Sequence, residues 1–96
     1  MPINKCRSYV GFAVKKGSAL FGVDNVIASK KKPSLILWDE HLSQNSQSRL
    51  TRYAIDRAIP IQKFPLHEVL PNRNCLALGI TDVHLSDAIQ NAIKEI

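Results

Sequence analysis

The stretch Phe21-Gly22-Val23-Asp24-Asn25-Val26-Ile27-Ala28-Ser29, followed by Lys30-Lys31-Lys32-Pro33, decides how this chain is read. Glycine reaches backbone angles closed to other residues, so Gly22 lets a short extended run turn sharply into a helix. Asp24 and Asn25 fall at the helix start, where short polar side chains accept hydrogen bonds from the otherwise orphaned first amides. Val26 and Ile27 turn inward, and Pro33 stops the helix soon after the lysines, so a helix is expected from about residue 23 to residue 31. Free amides, an amide side chain and neighbouring lysines make an anion site. The ligand expected there is an RNA phosphate backbone with a base edge beside it. Helix capping alone is the competing role for the same residues.

Upstream, Cys6, Tyr9, Val10, Ala13 and Val14 recur at three- and four-residue spacing, which predicts a helix with one buried stripe. Lys15 and Lys16 suit the negative end of its dipole, and Gly17 is placed as a left-handed cap. Ser18 to Phe21 is a short strand or extended link. Downstream, Ser34-Leu35-Ile36-Leu37-Trp38 is a continuous apolar run of strand length, expected to be covered on both faces. Asp39-Glu40-His41 follows as a polar loop, and Ser43 or Asn45 opens a third helix with Leu50, Tyr53, Ala54 and Ala58 inside. Residues 59–64 predict a strand, residues 65–70 a short helix, and Pro71-Asn72-Arg73-Asn74 a turn. Cys75 to Ile80 reads as a buried strand. Thr81 or Asp82 then caps a last helix striped by Leu85, Ala88, Ile89, Ala92, Ile93 and Ile96. Helix and strand patterns alternate throughout, which implies an α/β fold: a small sheet with helices on both faces.

Ninety-six residues make one domain with one modest core. Apolar residues at 45% beside 22% charged exclude a disordered chain, and no run approaches the roughly 18 apolar residues of a membrane span. Neither a signal peptide nor a membrane partner is expected. Cys6 and Cys75 lie far apart in apolar segments, so reduced thiols and a cytoplasmic location are expected. Charge is unevenly spread. Residues 1–63 carry eleven Lys+Arg against four Asp+Glu, whereas residues 64–96 carry two against four. Lys15-Lys16 and Lys30-Lys31-Lys32 bracket the glycine turn in sequence, which favours a basic face and a nucleic-acid partner over a merely solvated surface.

The segments Tyr9-Val10-Gly11-Phe12-Ala13-Val14-Lys15-Lys16-Gly17, Phe21-Gly22 and Leu35-Ile36-Leu37 resemble the kink-turn-binding ribosomal proteins of the L-seven-Ae and L-thirty-e type. Ser43-Gln44-Asn45-Ser46 and Cys75-Leu76-Ala77-Leu78-Gly79-Ile80-Thr81-Asp82 extend the likeness, the former toward the bacterial branch. It covers nearly the whole chain in the same element order. The resemblance implies a three-layer α/β/α sandwich with a small mixed central sheet, and binding to ribosomal or other structured RNA, with ribosomal proteins as possible further partners. Kink-turn binders open the second helix with glycine, any residue, asparagine and glutamate, then a lysine one turn on. Gly22 matches, but Asp24, Asn25 and Ala28 stand at the other three positions. The family's apolar loop before the last strand is shortened to residues 70–74, where Arg73 is available for phosphate. These departures weigh against the family's particular kink-turn contacts, because each missing cation is one phosphate fewer neutralised.

Catalysis is not expected. Asp39, Glu40 and His41 sit at a strand's C-terminal end, where α/β proteins place active sites, but three adjacent residues do not all point into one pocket. They are read as an exposed polar loop. His67 and His84 lack partners at zinc-site spacing, the cysteines form no paired knuckle, and no phosphate or dinucleotide loop is present, so neither metal nor cofactor is expected. Trp38 and Tyr53 are expected in the core. The expected function is a non-catalytic, monomeric RNA-binding protein. Gly22, Asp24 and Asn25 contact RNA at the helix start, and Lys15, Lys16, Lys30, Lys31, Lys32 and Arg73 contact phosphate. The competitor is a protein-interaction module that kept the sandwich and lost RNA recognition.

Overall fold

A run of three large aliphatic side chains with no polar break must bury both faces of a strand, and it lies at the centre here. In a computed structural model describing residues 2–70 and 75–94, Leu35–Trp38 forms β2, in which Leu35, Ile36 and Leu37 are fully buried. Each contributes roughly 1.5–3 kcal/mol of hydrophobic stabilisation. The other strands are β1 (Ala19–Phe21), β3 (Ile61–Lys63) and β4 (Ala77–Ile80), in spatial order β1-β4-β2-β3. β4 is antiparallel to both β1 and β2, whereas β2 and β3 run parallel. The helices are α1 (Pro2–Lys16), α2 (Val23–Ala28), α3 (Gln44–Asp56), α4 (Leu66–Val69) and α5 (Val83–Lys94).

Alternation along β2 divides the core. Leu35 and Leu37 join Cys6, Val10 and Ala13 of α1 with Leu66, Val69, Ile89 and Ala92 of α4 and α5. Ile36 joins Val23 and Val26 of α2 with Leu50, Tyr53 and Ala54 of α3. The result is a small α/β domain built on a mixed sheet. Among the described residues no helix is long and apolar enough to cross a membrane. Cys6 and Cys75 are both buried, and the Cys75 thiol donates to the Ala77 carbonyl at 2.9 Å.

Local signals are met at several ends. Gly17 takes a φ of 81°; its amide donates to Val14 and the Ser18 amide to Ala13, closing α1 with a left-handed cap. The Ser43 hydroxyl accepts from the Ser46 amide to start α3, and the Asp82 carboxylate accepts from the Leu85 amide to start α5.

Three expectations are corrected. Helix α2 ends at Ala28 rather than near residue 31, because Ser29 is already extended at ψ 134° and its hydroxyl closes a small turn with Lys31. Asp24 and Asn25 do not cap α2: Gly22 is the cap residue and the cap makes no side-chain hydrogen bond. Ala58 is not on the inner face of α3. It lies beyond the helix end, exposed, with a φ of 55°. The expectations for Ile96 and for the turn at 71–74, Arg73 included, lie outside the described residues.

Candidate functional site

The sheet register sorts the candidate residues between two ends of the domain. At one end Ala19 and Leu35 both pair with Ile80. The Thr81 amide donates to the Ser18 carbonyl at 2.9 Å and the Ser34 amide to the Ile80 carbonyl at 2.7 Å. The chain before β1 and the chain before β2 are thereby held on either side of Thr81. Lys15 and Lys16 lie just before the first, and Lys30, Lys31 and Lys32 just before the second, all exposed. Lys16 forms an ion pair with Asp82. Hydrogen bonding from Lys16, aided by the Leu85 amide, holds the Asp82 carboxyl down at about 2.

The glycine turn stands at the other end. The Gly22 amide donates to the Ala77 carbonyl at 2.9 Å, and Ala77 pairs with Trp38. A four-residue strand separates the two ends by roughly 10 Å at about 3.3 Å per residue. The lysines therefore do not encircle the start of α2. Gly22 takes φ 89° and ψ 153°, a region essentially reserved for glycine. Asn25 donates from Nδ2 to the Phe21 carbonyl at 2.7 Å, tying α2 back to β1. Asp24 points away, its carboxylate 3.0 Å from Arg49 Nη2 on α3. A shallow groove between the edge strand β1 and α2, lined by Ala19, Phe21, Asn25, Ala28 and Ser29, connects the two ends.

A second cluster occupies the carboxyl ends of the parallel pair β2 and β3. Asp39, expected in an exposed loop, has no solvent exposure at all. Its Oδ1 accepts from the His41 amide at 2.9 Å and from His41 Nδ1 at 2.7 Å; its Oδ2 accepts from the His67 amide at 2.9 Å and from His67 Nδ1 at 2.6 Å. Four donors thus satisfy the carboxylate completely, and since an ionised carboxylate only accepts, both imidazoles must carry a proton on Nδ1. Burial pushes the Asp39 carboxyl up, but the two backbone amides and two imidazoles outweigh it and hold the group well below the usual carboxylate range. The same hydrogen bond raises His67 above its ordinary 6.5, against a smaller opposing effect of desolvation. The two rings meet edge to face with centroids 5.0 Å apart. Asp39, His41 and His67 offer ligand atoms within 4.8 Å of one another, a set able to hold a metal ion.

Nothing in the linear chain joins these three. Asp39 and His41 fall together in a polar loop, and His67 stands 28 positions from Asp39. The available signal is an aspartate immediately after a fully apolar strand, the position where parallel α/β sheets place functional groups. Of the aromatics, Tyr53 and Phe64 are buried, and Trp38 is half-buried with Lys63 Nζ 6.0 Å from its ring centre.

No protein-family model matches the chain, and no curated protein matches it. A solved structure of a protein with unknown function from Bacillus halodurans C is similar, with a TM-score of 0.85 at 17% identity over 94% of this chain and 97% of that one. The likeness establishes a shared fold.

Proposed function

We propose that the chain is a non-catalytic binding protein for structured RNA, ribosomal RNA foremost, acting in the cytoplasm as a monomer. The observation that carries this reading is the sheet register that sets Lys15-Lys16 and Lys30-Lys31-Lys32 on either side of Thr81, at one mouth of the β1–α2 groove. Clustered cations beside a groove supply the phosphate contacts that dominate nucleic-acid affinity. Asn25, with its Nδ2 engaged by Phe21, keeps its side-chain oxygen for a base or sugar at the groove's other mouth. The two core clusters on alternate residues of β2 support a three-layer α/β/α sandwich of the kink-turn-binder type. Asp24, held by Arg49, takes no part in phosphate binding.

Filter binding to a structured RNA across a salt series tests the reading. Replacing Lys30, Lys31 and Lys32 together with glutamine lowers affinity at least about tenfold and flattens the salt dependence by about one unit for each phosphate no longer neutralised. Lys63→Gln, at the opposite end, leaves both unchanged. Equal binding by the triple variant and the parent chain overturns the reading. The Asp24–Arg49 pair across the start of α2 favours one alternative, a protein-interaction module; partners retained after nuclease treatment would identify it.

A further inference from the structure

Independently of RNA binding, we infer that Asp39, His41 and His67 form a site for a divalent transition-metal ion, coordinated by the Asp39 carboxylate and the Nδ1 atoms of both imidazoles. A ligand atom from each of the three side chains lies within 4.8 Å of the other two. His41 Nδ1 stands 2.7 Å from Asp39 Oδ1 and His67 Nδ1 2.6 Å from Oδ2, so both rings aim the same nitrogen at one carboxylate. In the ion-free chain a proton on each Nδ1 fills these contacts. A bound ion takes the place of those protons, and each neutral ring then carries its proton on Nε2 instead.

Each Asp39 oxygen already accepts a backbone amide, from His41 on Oδ1 and from His67 on Oδ2, so each imidazole meets the oxygen's second lone pair. Those amides hydrogen-bond a ligating carboxylate and fix its orientation whether protons or an ion lie between it and the rings. Ring placement agrees with convergence through Nδ1. Two imidazoles bound by the nearer nitrogen to one tetrahedral zinc have centroids about 5 Å apart; these stand at 5.0 Å with planes at 86°. Ligand atoms on such an ion, with bonds of roughly 2.0–2.2 Å, are about 3.3 Å apart, so each ring withdraws by about 0.6 Å as the ion enters. The histidine side chains, 62% and 44% exposed, have room to do so, while fully buried Asp39 stays in place. The same exposure admits the ion from solvent and leaves its remaining position to water. Two imidazoles and one carboxylate suit zinc(II), iron(II) or cobalt(II), whereas calcium and magnesium take oxygen ligands.

The test is titration of the chelator-treated full chain with Zn(II) by calorimetry and with Co(II) by visible absorption, alongside nitrogen-15 NMR of the histidine rings. One-to-one binding is expected, weakened at least about tenfold by His41→Gln, His67→Gln or Asp39→Asn and untouched by His84→Gln. Zn(II) at about a hundred times its Kd is expected to raise Tm by about 10 °C. In the NMR spectra of His41 and His67 the ring proton is expected on Nδ1 before Zn(II) is added and on Nε2 at saturation, a change that a cluster held by hydrogen bonds alone does not make. Should Asp39→Asn fail to fold, the two histidine variants, checked by circular dichroism, decide alone. Absence of saturable binding, binding indifferent to both histidine substitutions, or rings that keep their Nδ1 protons at saturation overturns the inference.

Discussion

Asp39 and His67 are joined twice, by the His67 amide and by its Nδ1, both donating to Oδ2 at 2.9 and 2.6 Å. The pair locks the chain after β2 to the start of α4, so it fastens the two parallel strands at the end where no turn connects them. His41 does the same for the loop that leads into α3.

Because the Asp39 carboxylate is fully buried with four donors, Asp39→Asn leaves an amide facing hydrogens it cannot accept. The expected loss is about 3 kcal/mol, a fall in Tm of more than about 10 °C for a domain of this size, read by thermal or urea unfolding. The sign with pH follows from the lowered pKa. The stabilisation is complete above the ordinary value of 3.8 and disappears as pH falls through the much lower folded value, so the parent chain and the variant converge in strong acid.

His67 shows the opposite sign. Its folded pKa is raised, so protonation stabilises the fold fully below 6.5 and that contribution is lost as pH rises through the folded value. NMR titration is expected to place the His67 midpoint above 6.5, and Asp39→Asn to bring it down. A midpoint unmoved by Asp39→Asn would mean that Asp39 is not the cause.

The end of α3 offers a stabilising substitution. The Ala58 amide donates to Ile55 and the Ile59 amide to Ala54, the same closure that Gly17 and Ser18 make on α1, yet the left-handed position is alanine. Ala58→Gly is expected to stabilise by about 1 kcal/mol and Gly17→Ala to destabilise by a similar amount. Paired urea curves with unchanged slopes check both.

Lys16 and Asp82 join the last turn of α1 to the cap of α5. Removing the cation in Lys16→Met is expected to move the Asp82 midpoint from about 2 toward 3.8 in a carboxyl-carbon NMR titration. The cap to Leu85 remains, so α5 keeps its helical start. Failure of the midpoint to move would place the cause in that amide instead.

Local causes are legible residue by residue. Leu35-Ile36-Leu37 requires a strand buried on both faces whatever surrounds it, and Gly17, Ser43 and Asp82 mark helix ends through atoms one turn away. Ala58 is misleading because alanine stands there in place of glycine, and Ser29 because its own hydroxyl competes with the helix through a turn.

Element order, the α/β class and the basic bias of the first two thirds were thus present in the sequence itself, since periodicity and composition act over a few residues. Which residues share a surface was decided only by tertiary structure. Gly22 lies between two lysine runs in sequence, but β1 carries the chain from the lysine end to the far end of the sheet and α2 brings it back, so the turn and the lysines stand apart. Parallel pairing of β2 with β3 does the reverse for Asp39 and His67: it closes a gap of 28 residues to a hydrogen bond, because strands entering a parallel sheet from the same end must leave it together at the other.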